Sequence, residues 1–126
     1  MFKIDNQSRQ AIYEQIIQQI EKYVLSGILT AGNKLPSVRK LSVELNVNPN
    51  TVQRAYTELE REGIIVTSPG KGGFISDSGA AVLKEVRRRE HLKKLEHVLM
   101  VLKVSNVDKK QILAIVEKTY EGGHDQ

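Results

Sequence analysis

The chain contains no cysteine. Disulfides, thiolate zinc sites and cysteine nucleophiles are therefore excluded, and a reducing cytoplasm fits. No apolar run approaches the ~20 residues needed to cross a bilayer. The opening Met1-Phe2-Lys3-Ile4-Asp5-Asn6-Gln7 lacks the apolar stretch of a secretory signal. A cytoplasmic protein without a membrane partner is the expectation. Internal repeats and low-complexity tracts are also missing, as is any nucleophile–base–acid constellation. His91, His97 and His124 are scattered, and the first two lie about 240° apart around a helix. Neither an enzyme, nor a metal site, nor a cofactor is expected.

What is present is an ordinary folded composition: 126 residues and 14.2 kDa, with 40% hydrophobic and 27% charged side chains. That is one domain, or one small domain with an appendage. The net charge is +4, with a pI near 9.4, which leans towards an anionic partner. The excess is +2 on either side of residue 76, so only its local distribution carries information.

The first part changes character every dozen residues. Ala11 to Leu25 places Ile12, Ile16, Ile17, Ile20, Val24 and Leu25 at helical spacing, and Gly27 stops the helix. Ala31-Gly32-Asn33 reads as a turn. A second helix follows, with Ser37 as N-cap, Val38, Leu41 and Leu45 inward, and an end at Asn46. Asn48-Pro49 opens a third helix as N-cap and first-turn proline. Val52, Ala55, Tyr56 and Leu59 form its buried face, with Tyr56 assigned to the core, and Gly63 closes it. Two short helices joined by about three residues make the helix-turn-helix pattern. The β-branched run Ile64-Ile65-Val66-Thr67, the turn Ser68 to Gly73 and the short strand Phe74-Ile75-Ser76 then predict a hairpin with a basic, glycine-rich tip, a wing. The glycines there are not a phosphate loop, because β-residues rather than a helix follow Lys71.

From Ser78 the chain reads as helix with one break. Val82, Leu83, Val86, Leu92, Leu95, Val98, Leu99 and Leu102 mark a helix from about Ala80, and Gly79 permits motion at the join. Asp108 and Gln111 form a capping-box pattern, with Val107 and Ile112 spaced for a hydrophobic staple. The last helix runs to about Tyr120 and ends at Gly122-Gly123. Such a hairpin is too small to hold a core alone. Its stripe is assigned to a second copy of the chain, through Leu92, Leu95, Val98, Leu99, Leu102, Ile112, Ile115 and Val116. Arg87-Arg88-Arg89 spans about 200° of helix and reads as a solvated face.

The segments Leu35-Pro36-Ser37-Val38-Arg39, Asn48-Pro49-Asn50-Thr51-Val52, Ala55-Tyr56, Leu59-Glu60-Arg61-Glu62-Gly63 and Gly70-Lys71-Gly72 carry a resemblance. Over about Ala11 to Ser76 the sequence resembles the GntR family of bacterial transcription regulators. The short two-helix tail looks like the family's YtrA subfamily. The resemblance implies a homodimeric repressor on palindromic double-stranded DNA, in operons that often include ABC-transporter genes, and it leaves any small-molecule effector unknown. It also places Arg39 at a position the family uses for DNA. The family often has Arg where Gln53 stands.

The expected fold is mainly α with a small β-hairpin: a winged helix-turn-helix over residues 1–77, then a two-helix dimerisation hairpin over residues 78–126. The expected DNA-binding residues are Arg39, Asn48, Asn50, Thr51, Gln53, Arg54, Gly70, Lys71 and Gly72. Asn50, Thr51, Gln53 and Arg54 lie outward near the start of the third helix, where base edges are read. Glu58, Glu60 and Glu62 sit at its far end, where the helix leaves the DNA. Asn48 is chiefly a cap. The competing reading is a winged-helix protein-interaction adaptor with no preference for any duplex.

Overall fold

The computed structural model describes residues 2–122. It divides into two compact units, one ending at Val86 and the other beginning at Arg87.

In the first unit, α1 (Ile12–Leu25) buries Ile16, Ile20 and Val24, the expected stripe, while Leu25 at its last turn is exposed. Gly27, at φ 82°, breaks the helix. The helix α2 (Val38–Leu45) starts where Ser37 Oγ accepts from the Lys40 N–H at 3.1 Å. It ends at Asn46, left-handed at φ 55°. Asn48 Oδ1 accepts from the Asn50 N–H at 2.8 Å and opens α3 (Pro49–Arg61), with Pro49 in the first turn. Val52, Ala55, Tyr56 and Leu59 are buried as expected. With Ile16, Ile20, Leu35, Leu41, Ile64, Ile65 and Ile75 they form one core. Each fully buried aliphatic side chain contributes about 1.5–3 kcal/mol before the entropy of ordering is subtracted.

The wing is shorter in its turn than the sequence suggests. β1 (Ile65–Ser68) pairs antiparallel with β2 (Gly72–Ile75), in the register Ile65 with Ile75 and Ser68 with Gly72. Gly72 and Gly73 are therefore strand residues, not turn residues. Pro69-Gly70-Lys71 reverses the chain: Gly70 sits at φ 76° and the Lys71 N–H donates to the Ser68 carbonyl at 2.9 Å. A further rung escapes the sequence pattern. Residues 32–35 run along the other edge of β2, where the Leu35 N–H donates to Gly73 O at 2.9 Å and the Ile75 N–H to Asn33 O at 2.9 Å.

The segment before α1 is also held, by a device no periodicity signals. Gln15 and Gln19, one turn apart on α1, use their side-chain amides as peptide groups. Gln15 Oε1 accepts from the Asp5 N–H at 2.7 Å, and its Nε2 donates to Asp5 O at 3.0 Å. Gln19 makes the same pair of bonds with the N–H and carbonyl of Lys3. Phe2 is buried at the far end of this arm, edge-on to Tyr23 with ring centroids 5.8 Å apart.

Two expectations at the join change. The helix α4 (Gly79–Val104) starts one residue early, and Gly79 is buried rather than loose. A Cβ there would come within 2.8 Å of Ile64 O and 3.0 Å of Ser76 Oγ, so Gly79 is required by a close approach and not by motion. Leu83 is fully buried as well. The first two turns of α4 thus belong to the winged unit, and the division lies after Val86 rather than at residue 77.

The second unit contains the rest of α4 and α5 (Lys109–Gly122). Asn106, left-handed at φ 62°, ends α4. The expected capping box is altered: Asp108 Oδ1 accepts from the Lys110 N–H at 3.1 Å, one position earlier than Gln111, whose N–H donates to Asp108 O. Gly123 and His124 lie outside the described residues.

Candidate nucleic-acid interface

The buried face of α3 fixes what its other face presents. With Val52, Ala55, Tyr56 and Leu59 inward, the 100° step of the helix puts Asn50, Gln53, Arg54 and Thr57 outward, and all four are exposed. Thr51 lies on the flank and is half-buried. Gln53 Nε2 donates to Thr57 Oγ1 at 3.2 Å, one turn on. Arg54 leans towards α1, with its guanidinium carbon 3.8 Å above the centre of the Tyr13 ring. Arg39, the second residue of α2, is exposed beside Lys40.

Two hydrogen bonds hold this face in place. The Tyr56 hydroxyl donates to the Pro36 carbonyl at 2.7 Å, tying the middle of α3 to the residue before the α2 cap. Burial, with Glu44 adding to it, pushes the Tyr56 phenol far above its ordinary pKa, so it remains a donor across the physiological range. The assignment of Tyr56 to the core holds. Thr67 on β1 donates to a Glu60 carboxylate oxygen on α3, joining the wing to that helix.

The structure brings the wing tip and the helices to one cleft of about 300 Å³. Ser37, Gln53, Thr67 and Gly70 are among its lining residues. Gly70, Lys71 and Gly72 are exposed at the tip. The far end of α3 is acidic, with Glu58 paired to Arg61. Arg87 is engaged by both carboxylate oxygens of Glu90 at 2.9 Å. Among the described residues no group of three His, Cys, Asp or Glu is placed to hold a metal ion, and no helix is long and apolar enough to cross a membrane.

The second unit has a different surface. No side chain of α5 is buried. Leu92, Leu95, Val98, Ile115 and Val116 are exposed, while Leu99, Leu102 and Ile112 are half-buried between the two helices. An apolar cleft of about 700 Å³ runs along the hairpin, lined by Leu95, Leu99, Ile112, Leu113 and Val116 among others. Leu113, Met100, Val101 and Tyr120 are exposed apolar groups that the sequence stripe did not single out.

Thr57 and Tyr13 are the residues of this face and its surroundings that sequence reasoning missed. Thr57 was visible in principle, four residues from Gln53 on the same face. Tyr13 was not, since only the packing of α1 on α3 brings it to Arg54.

Three helices closed by a two-stranded wing, with a polar outward face on the second helix of the helix-turn-helix pair, define the winged helix-turn-helix class of DNA-binding transcription regulators. The chain belongs to the gntR family of bacterial regulatory proteins, whose profile matches residues 12–75. It is 50% identical over 98 residues to the HTH-type transcriptional repressor YtrA of Bacillus subtilis, covering 75% of each chain. It is 38% identical over 122 residues to the uncharacterized HTH-type transcriptional regulator YhcF of the same organism, covering 95% of this chain and all of that one. In structure it is similar to a transcriptional regulator from Oenococcus oeni, with a TM-score of 0.78, 35% identity, and coverage of 93% of this chain and 97% of that one.

Proposed function

We propose that this DNA-binding regulator acts in the cytoplasm as a homodimeric repressor of its own operon, without enzymatic activity, and that it recognises a palindromic operator. The outward face of α3 carries this reading: exposed Asn50, Gln53 and Arg54, with half-buried Thr51 on the flank, stand at the first two turns of a helix whose other face is locked into the core. Asn50 and Gln53 match the donor–acceptor edge of adenine, Arg54 matches guanine, and the Thr51 methyl packs against thymine. Arg39, the Asn48-capped start of α3 and Lys71 between Gly70 and Gly72 hold phosphates or the minor groove. They supply affinity that falls steeply with salt. Half-sites one helical turn apart, about 34 Å or a multiple of it, suit two copies related by a twofold axis. The exposed leucines and valines of the second unit support pairing with a second copy, through Leu92, Leu95, Val98, Leu99, Leu102, Ile112, Ile115 and Val116.

The test is fluorescence anisotropy with duplexes tiled across the promoter of the protein's own gene, each against a scrambled control at two salt concentrations. One palindromic segment bound by two chains with a steep salt slope is the expected result. Arg54→Ala then lowers the ratio of operator to scrambled affinity by about tenfold or more, as loss of a bidentate base contact does. Lys71→Ala weakens both duplexes alike and flattens the salt slope by about one. Equal, weak binding to every duplex by a monomeric protein would instead favour a protein-interaction adaptor.

A further inference from the structure

Tyr13 is the second residue of α1 and half-buried, anchored beside the core that α1 shares with α3. Its ring stands 3.8 Å below the guanidinium carbon of Arg54, well inside the ~6 Å reach of a cation–π contact. Arg54 has four side-chain torsions and an exposed position. Without a partner its head would sweep a wide arc, and the cost of stopping it would fall on binding. The ring removes that freedom beforehand. It holds the guanidinium carbon over its centre by attraction to the ring face.

The geometry points to Tyr13 as a positioning residue for DNA recognition: it holds the Arg54 fork on the outward face of α3 for two-bond pairing with guanine O6 and N7. Tyr13 touches no base itself. The inference rests on the reading of α3 as the base-contacting helix. A lysine at position 54 cannot substitute, since an ammonium has no fork to match two acceptors on one base edge. Asn50 and Gln53 do not depend on Tyr13.

The experiment has two readouts on the full chain. In the free protein, proton NMR reads the contact directly. The Arg54 δ and ε protons are shifted upfield by the ring in the wild type and in Tyr13→Phe, and the shift disappears in Tyr13→Leu. On DNA, the probes are the tightest-binding promoter duplex and its scrambled version. Tyr13→Leu is expected to lower the ratio of the two affinities about fivefold, while Tyr13→Phe stays within about twofold of wild type. In an Arg54→Ala background, Tyr13→Leu changes the ratio by less than about twofold, because the two residues act as one unit. A loss of folded protein lowers both affinities together and leaves the ratio alone, so a purely structural role for Tyr13 is separated.

The inference is overturned if no upfield shift is present, if Tyr13→Phe is as damaging as Tyr13→Leu, or if Tyr13→Leu acts equally with and without Arg54. A wild-type protein that binds all duplexes alike overturns it too. An intact upfield shift would then locate that failure in the DNA reading of α3, not in the contact.

Discussion

A methyl group at position 79 would sit 2.8 Å from the Ile64 carbonyl oxygen and 3.0 Å from Ser76 Oγ. Neither neighbour can yield, because each is already engaged. Ile64 O accepts the Ser76 N–H at 2.9 Å, and the Ser76 hydroxyl donates to Gly63 O at 2.6 Å. Gly79→Ala is therefore expected to lower stability by about 1–3 kcal/mol, the usual cost of overpacking a tight contact. Urea unfolding followed by circular dichroism checks this, and an unchanged midpoint would mean that the helix start shifts freely. In the sequence, Ser78-Gly79-Ala80 permits motion without deciding between a rigid join and a hinge, because composition marks where a glycine is permitted and not whether its missing side chain is occupied space. Arg54 teaches the same lesson in reverse. Its outward direction follows from helix geometry, but its lean onto Tyr13 depends on a ring supplied from 41 positions away in the chain.

Helix ends were the most legible elements. Asn46-Val47, Gly63-Ile64 and Asn106-Val107 close α2, α3 and α4 in the same way. Each left-handed residue donates its N–H three positions back, and the aliphatic residue after it donates five back. Asn46 and Gly63 were readable as stops because the apolar stripe ends beside them. Asn106 was not singled out, since the Asp108 pattern two residues later drew the boundary. Replacing Asn106 by Ala is expected to cost about 1 kcal/mol, the price of a left-handed residue with a Cβ and no local hydrogen bond, whereas Asn106→Gly should be neutral or slightly stabilising. The difference between their urea midpoints measures it. What sequence patterning left out were pairings with no local signature. The rung at residues 32–35 beside β2 and the early start of β2 at Gly72 both depend on which backbone groups remain unpaired nearby.

At the scale of the whole molecule, the winged unit closes its own core and the hairpin unit does not. Between Arg87 and Gly122 no described side chain is buried, while Leu92, Leu95, Val98, Val101 and Ile115 are each close to half exposed or more. That contrast was legible in the sequence, because a 40-residue hairpin cannot cover an apolar stripe on both helices. The proposed twofold pairing makes it testable. Replacing Leu95 and Leu99 together by Glu should yield monomers in analytical ultracentrifugation, with the winged unit's melting transition retained. Operator affinity should fall by about 100-fold or more, since each half-site then binds alone. A variant that stays dimeric would move the interface off this face. The position of the division was less legible: helical periodicity runs unbroken through Val86, and the burial of Gly79 and Leu83 assigns the first turns of α4 to the winged unit.

The arm that precedes α1 is gripped by its backbone, through the amides of Gln15 and Gln19 at Asp5 and Lys3. A grip of that kind does not read side chains. Under selection, the identity of residue 3 is therefore free to drift, and only proline, which has no N–H to give, is barred there; residue 5 is held further, because the Asp5 carboxylate also accepts from the Gln7 N–H at 2.9 Å. The two glutamines carry the opposite constraint. A glutamate at either position could accept but not donate, so the backbone part of the arm's docking is written in α1, and the arm's own side chains add to it chiefly through the buried Phe2.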